Sequence, residues 1–157
     1  MKIGLAAALM LAITGMASWG QSAGEISVGA LFEENLSGRQ GMSMAGGLIA
    51  GYGITERFTI GVKSSYGNDF GGLRIFEAMT YGRYYRAIKS IEDLHLWVQM
   101  EVGGITLIEK GRDGIGSAAV ALSAGARFSF NSFYAEPYIW VGYPVPFGLG
   151  VIFGCKF

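Results

Sequence analysis

The chain has one cysteine, so no disulfide can form within it and a stapled secreted domain is excluded. Charge is sparse: Asp, Glu, Lys and Arg make up 15% of the residues, against about 25% in an ordinary soluble domain. What charge there is balances, 12 basic against 12 acidic, and no basic tract offers a nucleic-acid or polybasic lipid signal. Long hydrophobic runs are missing too. Outside the first 24 residues the longest uncharged stretch, 137–155, is interrupted by Pro144, Pro146 and several glycines, so a bundle of transmembrane helices is a poor fit. The abundant residues are glycine, 26 of them, and aromatics at 13%.

Lys2 is followed by an apolar run over 3–13 and then by small and polar residues over 14–24. This is the order of a secretory leader: basic segment, short hydrophobic core, small-residue cleavage region. Cleavage is expected after Gly20, with Ser18 three positions before the cut; Ala17, preceded by Gly15 at the same offset, also satisfies the small-residue rule. No cysteine follows the hydrophobic core, so no lipoprotein anchor is expected. The chain therefore divides into a signal peptide, 1–20, and one exported domain, 21–157.

Counting back from Phe157 in steps of two gives Cys155, Phe153, Val151, Leu149 and Phe147, an unbroken apolar file. The other parity, Lys156, Gly154, Ile152, Gly150 and Gly148, is small or polar at all but one position. A period of two puts the files on opposite faces, so 147–157 reads as an amphipathic β-strand with one greasy wall. Seven further runs alternate in the same way. Residues 25–33 place Ile26, Val28, Ala30 and Phe32 on one parity, and 41–52 place Met42, Met44, Leu48, Ala50 and Tyr52 together. The runs 58–66 (Phe58, Ile60, Val62) and 73–85 (Phe76, Ala78, Thr80, Tyr84) follow. Then come 94–108 (Leu94, Leu96, Val98, Met100, Val102), 116–130 (Val120, Leu122, Ala124, Phe128) and 133–143 (Phe133, Tyr143).

Charge parity is the strongest signal. Lys63, Glu77, Arg83, Glu101, Arg127, Glu136 and Lys156 all fall opposite the apolar files. A lipid-facing Arg or Lys near mid-membrane costs about 2–4 kcal/mol, and a transmembrane barrel avoids it in this way. A soluble up-and-down barrel such as a lipocalin has the reverse arrangement, apolar inside and polar outside. The expected fold is therefore all-β: an eight-stranded antiparallel up-and-down transmembrane β-barrel after a cleaved signal peptide. Aromatic spacing agrees, since Phe133 and Tyr143, like Phe147 and Phe157, lie ten residues apart on one face. Ten residues at about 3.3 Å each, tilted by about 40°, span on the order of 25 Å, the height of an outer-membrane apolar band.

An unpaired backbone amide is costly in hydrocarbon, so the eighth strand is expected to pair with the first. An even strand number brings both termini to one side, expected to be periplasmic, with turns at 53–57, 86–93 and 131–132 there. Loops near 34–40, 67–72, 109–115 and 144–146 then face outward.

The chain resembles the small eight-stranded bacterial outer-membrane β-barrels of the outer membrane protein A, W and X type. The resemblance covers the mature length and rests on the leader, the alternating strands, the run Gly51-Tyr52-Gly53-Ile54-Thr55-Glu56-Arg57-Phe58, and the terminal file of Phe157, Cys155, Phe153 and Val151. It implies a location in the bacterial outer membrane, with outer-membrane lipid as the surrounding partner. It also implies that the barrel-assembly machinery reads the terminal file during insertion. A monomer with no cofactor and no nucleic-acid partner is expected.

Inward positions of the fourth, fifth and seventh strands are bulky: Met79, Tyr81, Tyr85, Trp97, Tyr134, Tyr138 and Trp140. Those of the second, third, sixth and eighth are mostly Gly, Ala or Ser, so large residues from one side are expected to fill the hollow left by the other. Inward charges are expected to pair across the lumen, Glu101 first with Arg127 on the adjacent strand. Hydrolytic chemistry would need a nucleophile near His95, the one histidine, from Ser43 or Ser123, but Trp97 stands two residues after it, where lipid A deacylase barrels carry a serine. No enzyme, metal cluster or phosphate loop is expected. The leading expectation is a non-catalytic, structural or integrity protein with a plugged lumen. A narrow channel or binding protein for small apolar molecules is the alternative, and a soluble exported lipocalin-like carrier is the third.

Overall fold

The computed structural model describes residues 23–37, 41–69, 72–88, 94–109 and 114–157, so the expected leader at 1–20 lies outside the described residues. Eight strands follow one another: β1 (Ile26–Ser37), β2 (Gly41–Thr55), β3 (Phe58–Asp69), β4 (Arg74–Ala87), β5 (Leu94–Ile108), β6 (Ile115–Phe130), β7 (Phe133–Tyr143) and β8 (Phe147–Lys156). Each pairs antiparallel with its sequence neighbours, and β8 pairs with β1, which closes the sheet. The seam is completed by Phe157, whose N–H donates to the Ile26 carbonyl at 2.8 Å while the Ile26 N–H donates to the Phe157 carbonyl at 3.1 Å.

β1 and β3 run further than their apolar alternation, to Ser37 and Asp69 rather than 33 and 66. The polar residues there keep the backbone ladder, which side-chain polarity does not interrupt. At the opposite end β6 and β7 meet in a two-residue turn at Asn131-Ser132, where Asn131 takes φ 56°, a left-handed conformation that asparagine tolerates.

The register fixes the barrel's shape. Stepping from Leu36 to its partner on each successive strand leads through Phe147, Val141, Leu122, Met100, Gly82, Ile60 and Tyr52 to Ile26, ten residues below the start. With about 3.3 Å per residue and about 4.8 Å between strands, that stagger tilts eight strands by about 40°. A barrel of this size leaves room inside only for side chains.

Burial alternates along every strand in the sense the charge parity demands. Ile26, Phe32, Leu48, Val62, Phe76, Met100, Leu122, Ile139 and Phe153 all point outward and are exposed. Inside, aromatic rings lie on glycines of the neighbouring strand. A Cβ on Gly150 would come within 2.7 Å of the Tyr138 ring and 2.8 Å of the Phe32 carbonyl oxygen, and one on Gly125 within 2.6 Å of the Trp97 ring. At these positions glycine admits the rings.

Candidate functional site

The interior is a stack of layers contributed by different strands. Toward the end that carries both termini, Arg83 of β4, Arg127 of β6 and Glu136 of β7 meet. Arg83 Nη1 donates to Glu136 Oε2 at 2.7 Å and to the Tyr85 hydroxyl at 2.9 Å, and Arg127 Nε donates to Glu136 Oε1. Arg127 Nη1 also lies 3.6 Å from Oε1 of Glu25, the residue just before β1. The guanidinium groups are sandwiched between rings: Arg83 sits 4.0 Å from the centroid of Trp97, and Arg127 4.1 Å from that of Tyr134. Such stacking favours arginine, a planar and weakly hydrated cation.

The middle of the barrel holds a second ion cluster. Lys63 Nζ of β3 lies 2.7 Å from Glu33 Oε1 on β1, 3.1 Å from Glu101 Oε2 on β5 and 3.3 Å from Glu77 Oε1 on β4. Glu101 accepts further hydrogen bonds from Ser123 Oγ at 2.6 Å and Gln99 Nε2 at 2.8 Å, and Glu33 accepts one from the Tyr138 hydroxyl at 2.7 Å. Gln99 joins the two clusters, because its Oε1 accepts from Arg83 Nε at 2.5 Å. A buried charge is stable only when paired and hydrogen-bonded, and the carboxylates of both clusters take cationic partners from across the lumen.

Apolar side chains complete the stack. Tyr81, Tyr85, Trp97, Tyr134, Tyr138 and Trp140 are all buried in one cluster with Leu31, Ile49 and Ile152. Beyond the Lys63 cluster, Ile75, Met79, Ile105 and Ala119 form a second cluster, and Val145, from the connection between β7 and β8, packs against it. Aliphatic side chains therefore line that end of the lumen.

The residues expected from sequence to carry charge inside, Lys63, Glu77, Arg83, Glu101, Arg127, Glu136 and Lys156, all face the lumen; Glu77 is the most accessible of the acids in the Lys63 cluster. The expected pairing of Glu101 with Arg127 does not occur. Arg127 is registered with His95, six residues along β5 from Glu101, a separation of about 20 Å. The adjacent strand thus carries the right charge at the wrong height, and Glu101 takes Lys63 instead. Glu25 and Glu33 belong to the clusters and were not among the expected residues. Their signal was present, because both share the inward parity of Leu31, opposite Phe32. Ser123, weighed as a nucleophile beside His95, is registered with Gln99, four residues away, and its hydroxyl is committed to Glu101. The terminal file faces outward, with Phe153 and Phe157 exposed and Val151 and Cys155 half-buried.

A closed eight-stranded antiparallel barrel, apolar outside and charged inside, places this chain by architecture among the small barrels. The similar solved structures share that architecture. Neisserial surface protein A is 11% identical with a TM-score of 0.62, over 84% of this chain and 94% of its own. The outer membrane protein OprG from Pseudomonas aeruginosa is 12% identical at 0.65, over 88% and 98%. Ail, the attachment invasion locus protein of Yersinia pestis, is 12% identical at 0.52, over 85% and 99%. The likeness is one of fold. No family model matches the sequence, and no curated protein sequence matches it.

Proposed function

We propose that this chain is an integral outer-membrane β-barrel of the outer membrane protein A, W and X type, with a non-catalytic, structural role in membrane integrity and a lumen plugged by its own side chains. The observation that carries the reading is the bridging of the lumen by buried ion pairs: Lys63 ties β3 to β1 and β5, and Glu136 ties β7 to β4 and β6. Those pairs stand where a conducting pore would need water. The apolar outer wall supports a lipid environment and is the reverse of a lipocalin-like carrier's polar exterior. The reading includes cleavage of residues 1–20, domain 21–157 inserted as a monomer by the barrel-assembly machinery, and both termini in the periplasm. The terminal file of Phe157, Cys155, Phe153 and Val151 is its assembly signal. Single-channel recording tests it: the purified protein should show no steady ion conductance in a planar bilayer.

One observation favours a second reading, passage of small apolar molecules through the wall. The register of β6 and β7 runs from Gly125 with Tyr138 to Phe128 with Ala135, and the two intervening positions, which include Pro137, are unpaired. Proline has no N–H to donate, so the ladder is weakest there. Saturable uptake of an apolar solute that depends on this protein would favour that reading over the structural one.

A further inference from the structure

The outer wall of β1–β5 carries a groove that the plugged-lumen reading does not use. A cavity of about 970 Å³ is lined by Tyr52, Phe58, Ile60, Val62, Gly82 and Met100 among others. It adjoins a second of about 570 Å³, and the two share Ala50, Val62, Thr80 and Val102. Its lining is nearly all apolar, and the Thr80 hydroxyl in the floor is already satisfied by the Val102 carbonyl at 3.0 Å. Gly82 makes the floor low. A Cβ there would meet only the Phe58 ring, at 3.4 and 3.7 Å, which is ordinary contact. Packing inside the barrel therefore does not require glycine at 82 as it does at 150.

Two charges stand together at one end of this groove, whereas Arg74, on the same outward file of β4, stands alone at the other. Along β4 the outward file runs Thr80, Gly82, Tyr84, Arg86 toward the end bearing the termini. Arg86 is thus about 13 Å along the strand from the groove floor, with an aromatic ring between. Arg57, in the turn between β2 and β3, stands beside it, because its carbonyl accepts the Tyr85 N–H at 2.8 Å. Both arginines are exposed, and among the described residues neither guanidinium has a carboxylate partner, Glu56 of the same turn included.

We propose that the groove and these two arginines seat one anionic glycerophospholipid, an acyl chain lying along the floor at Gly82 and Thr80 and the headgroup phosphate held between Arg57 and Arg86. The inference rests on the membrane-spanning reading above, which turns this end of the barrel toward the phospholipid leaflet. Arginine grips phosphate with paired, charge-assisted hydrogen bonds, and aromatic rings at headgroup level mark the depth at which the phosphate sits. A second copy of the chain is a poor occupant: a two-fold contact puts the same patch on both subunits, so four guanidinium groups would converge.

Native mass spectrometry tests this on the full barrel in detergent, offered phosphatidylglycerol, phosphatidylcholine with the same acyl chains, and lipid A. The expected result is one retained phosphatidylglycerol, preferred over phosphatidylcholine by about tenfold, because both carry the phosphate but choline adds a fixed cation that the two guanidinium groups repel. The R57A/R86A variant should lose that preference, and G82L, which fills the floor, should lower retention of both phospholipids. Equal retention of the two phospholipids, preference for lipid A, a dimer in place of a lipid adduct, or an unaltered preference in R57A/R86A would each overturn the proposal. Gel mobility of the same samples with and without heating shows whether each variant is a folded barrel. A wild-type protein that stays soluble without detergent would count against the membrane reading itself, separately from the lipid site.

Discussion

Lys63 is one ammonium among three carboxylates, and that imbalance makes its neighbours unequal. Glu101 and Glu33 have further donors in Ser123, Gln99 and Tyr138, whereas Glu77 has Lys63 alone among the bonds described for it. Replacing Lys63 by Met leaves several buried negative charges unpaired and should cost about 3–5 kcal/mol in urea unfolding from detergent micelles. Glu77→Gln removes a repelling charge and should change stability by less than about 1 kcal/mol, or raise it. Equal losses in the two variants would contradict the cluster as drawn. Glycines separate in the same way. Gly150→Ala drives a methyl group into Tyr138 and should cost about 1–3 kcal/mol. Gly116→Ala, outward and with nothing within 4 Å of the added carbon, should be neutral or slightly stabilising in the same titration.

At the scale of the element, β8 closes the barrel by pairing with β1. Phe157 contributes both an outward ring and the final pair of backbone hydrogen bonds to Ile26. Phe157→Asp puts a charge at the membrane face while leaving the lumen untouched. Such a protein should be exported normally but accumulate less in the outer membrane, as read by fractionation and immunoblotting. Wild-type amounts of folded mutant in that fraction would remove the terminal file's role as an assembly signal. Strand positions were legible from alternation because a sheet with two different solvents on its faces forces a period of two on the sequence. The far ends of β1 and β3 were not, since Glu34 and Asn35, or Asn68 and Asp69, are polar on both parities, which breaks the alternation while the backbone ladder continues.

At the scale of the whole barrel, closure leaves no free edge, so unfolding must open many hydrogen bonds together. The protein should stay β-rich by circular dichroism in detergent and change gel mobility only after heating. The lumen should also open on command: trimming Trp97, Tyr138 and Trp140 to Ala removes three buried rings that facing glycines cannot refill, so the triple variant should conduct where the wild type does not. A wild-type conductance equal to the variant's would refute the plug. Much of this was decided by sequence alone. Eight alternating runs with charge on one parity determine a closed barrel, an inside and an outside, and which residues line each, because alternation is a property of one strand at a time. The partners were decided only by the tertiary structure. A stagger of ten residues round the barrel sets the height at which each inward side chain meets the others, and so gave Glu101 to Lys63, Glu136 to two arginines, Glu33 to Lys63 two strands further along the sequence, and Glu25 to Arg127 five strands further along.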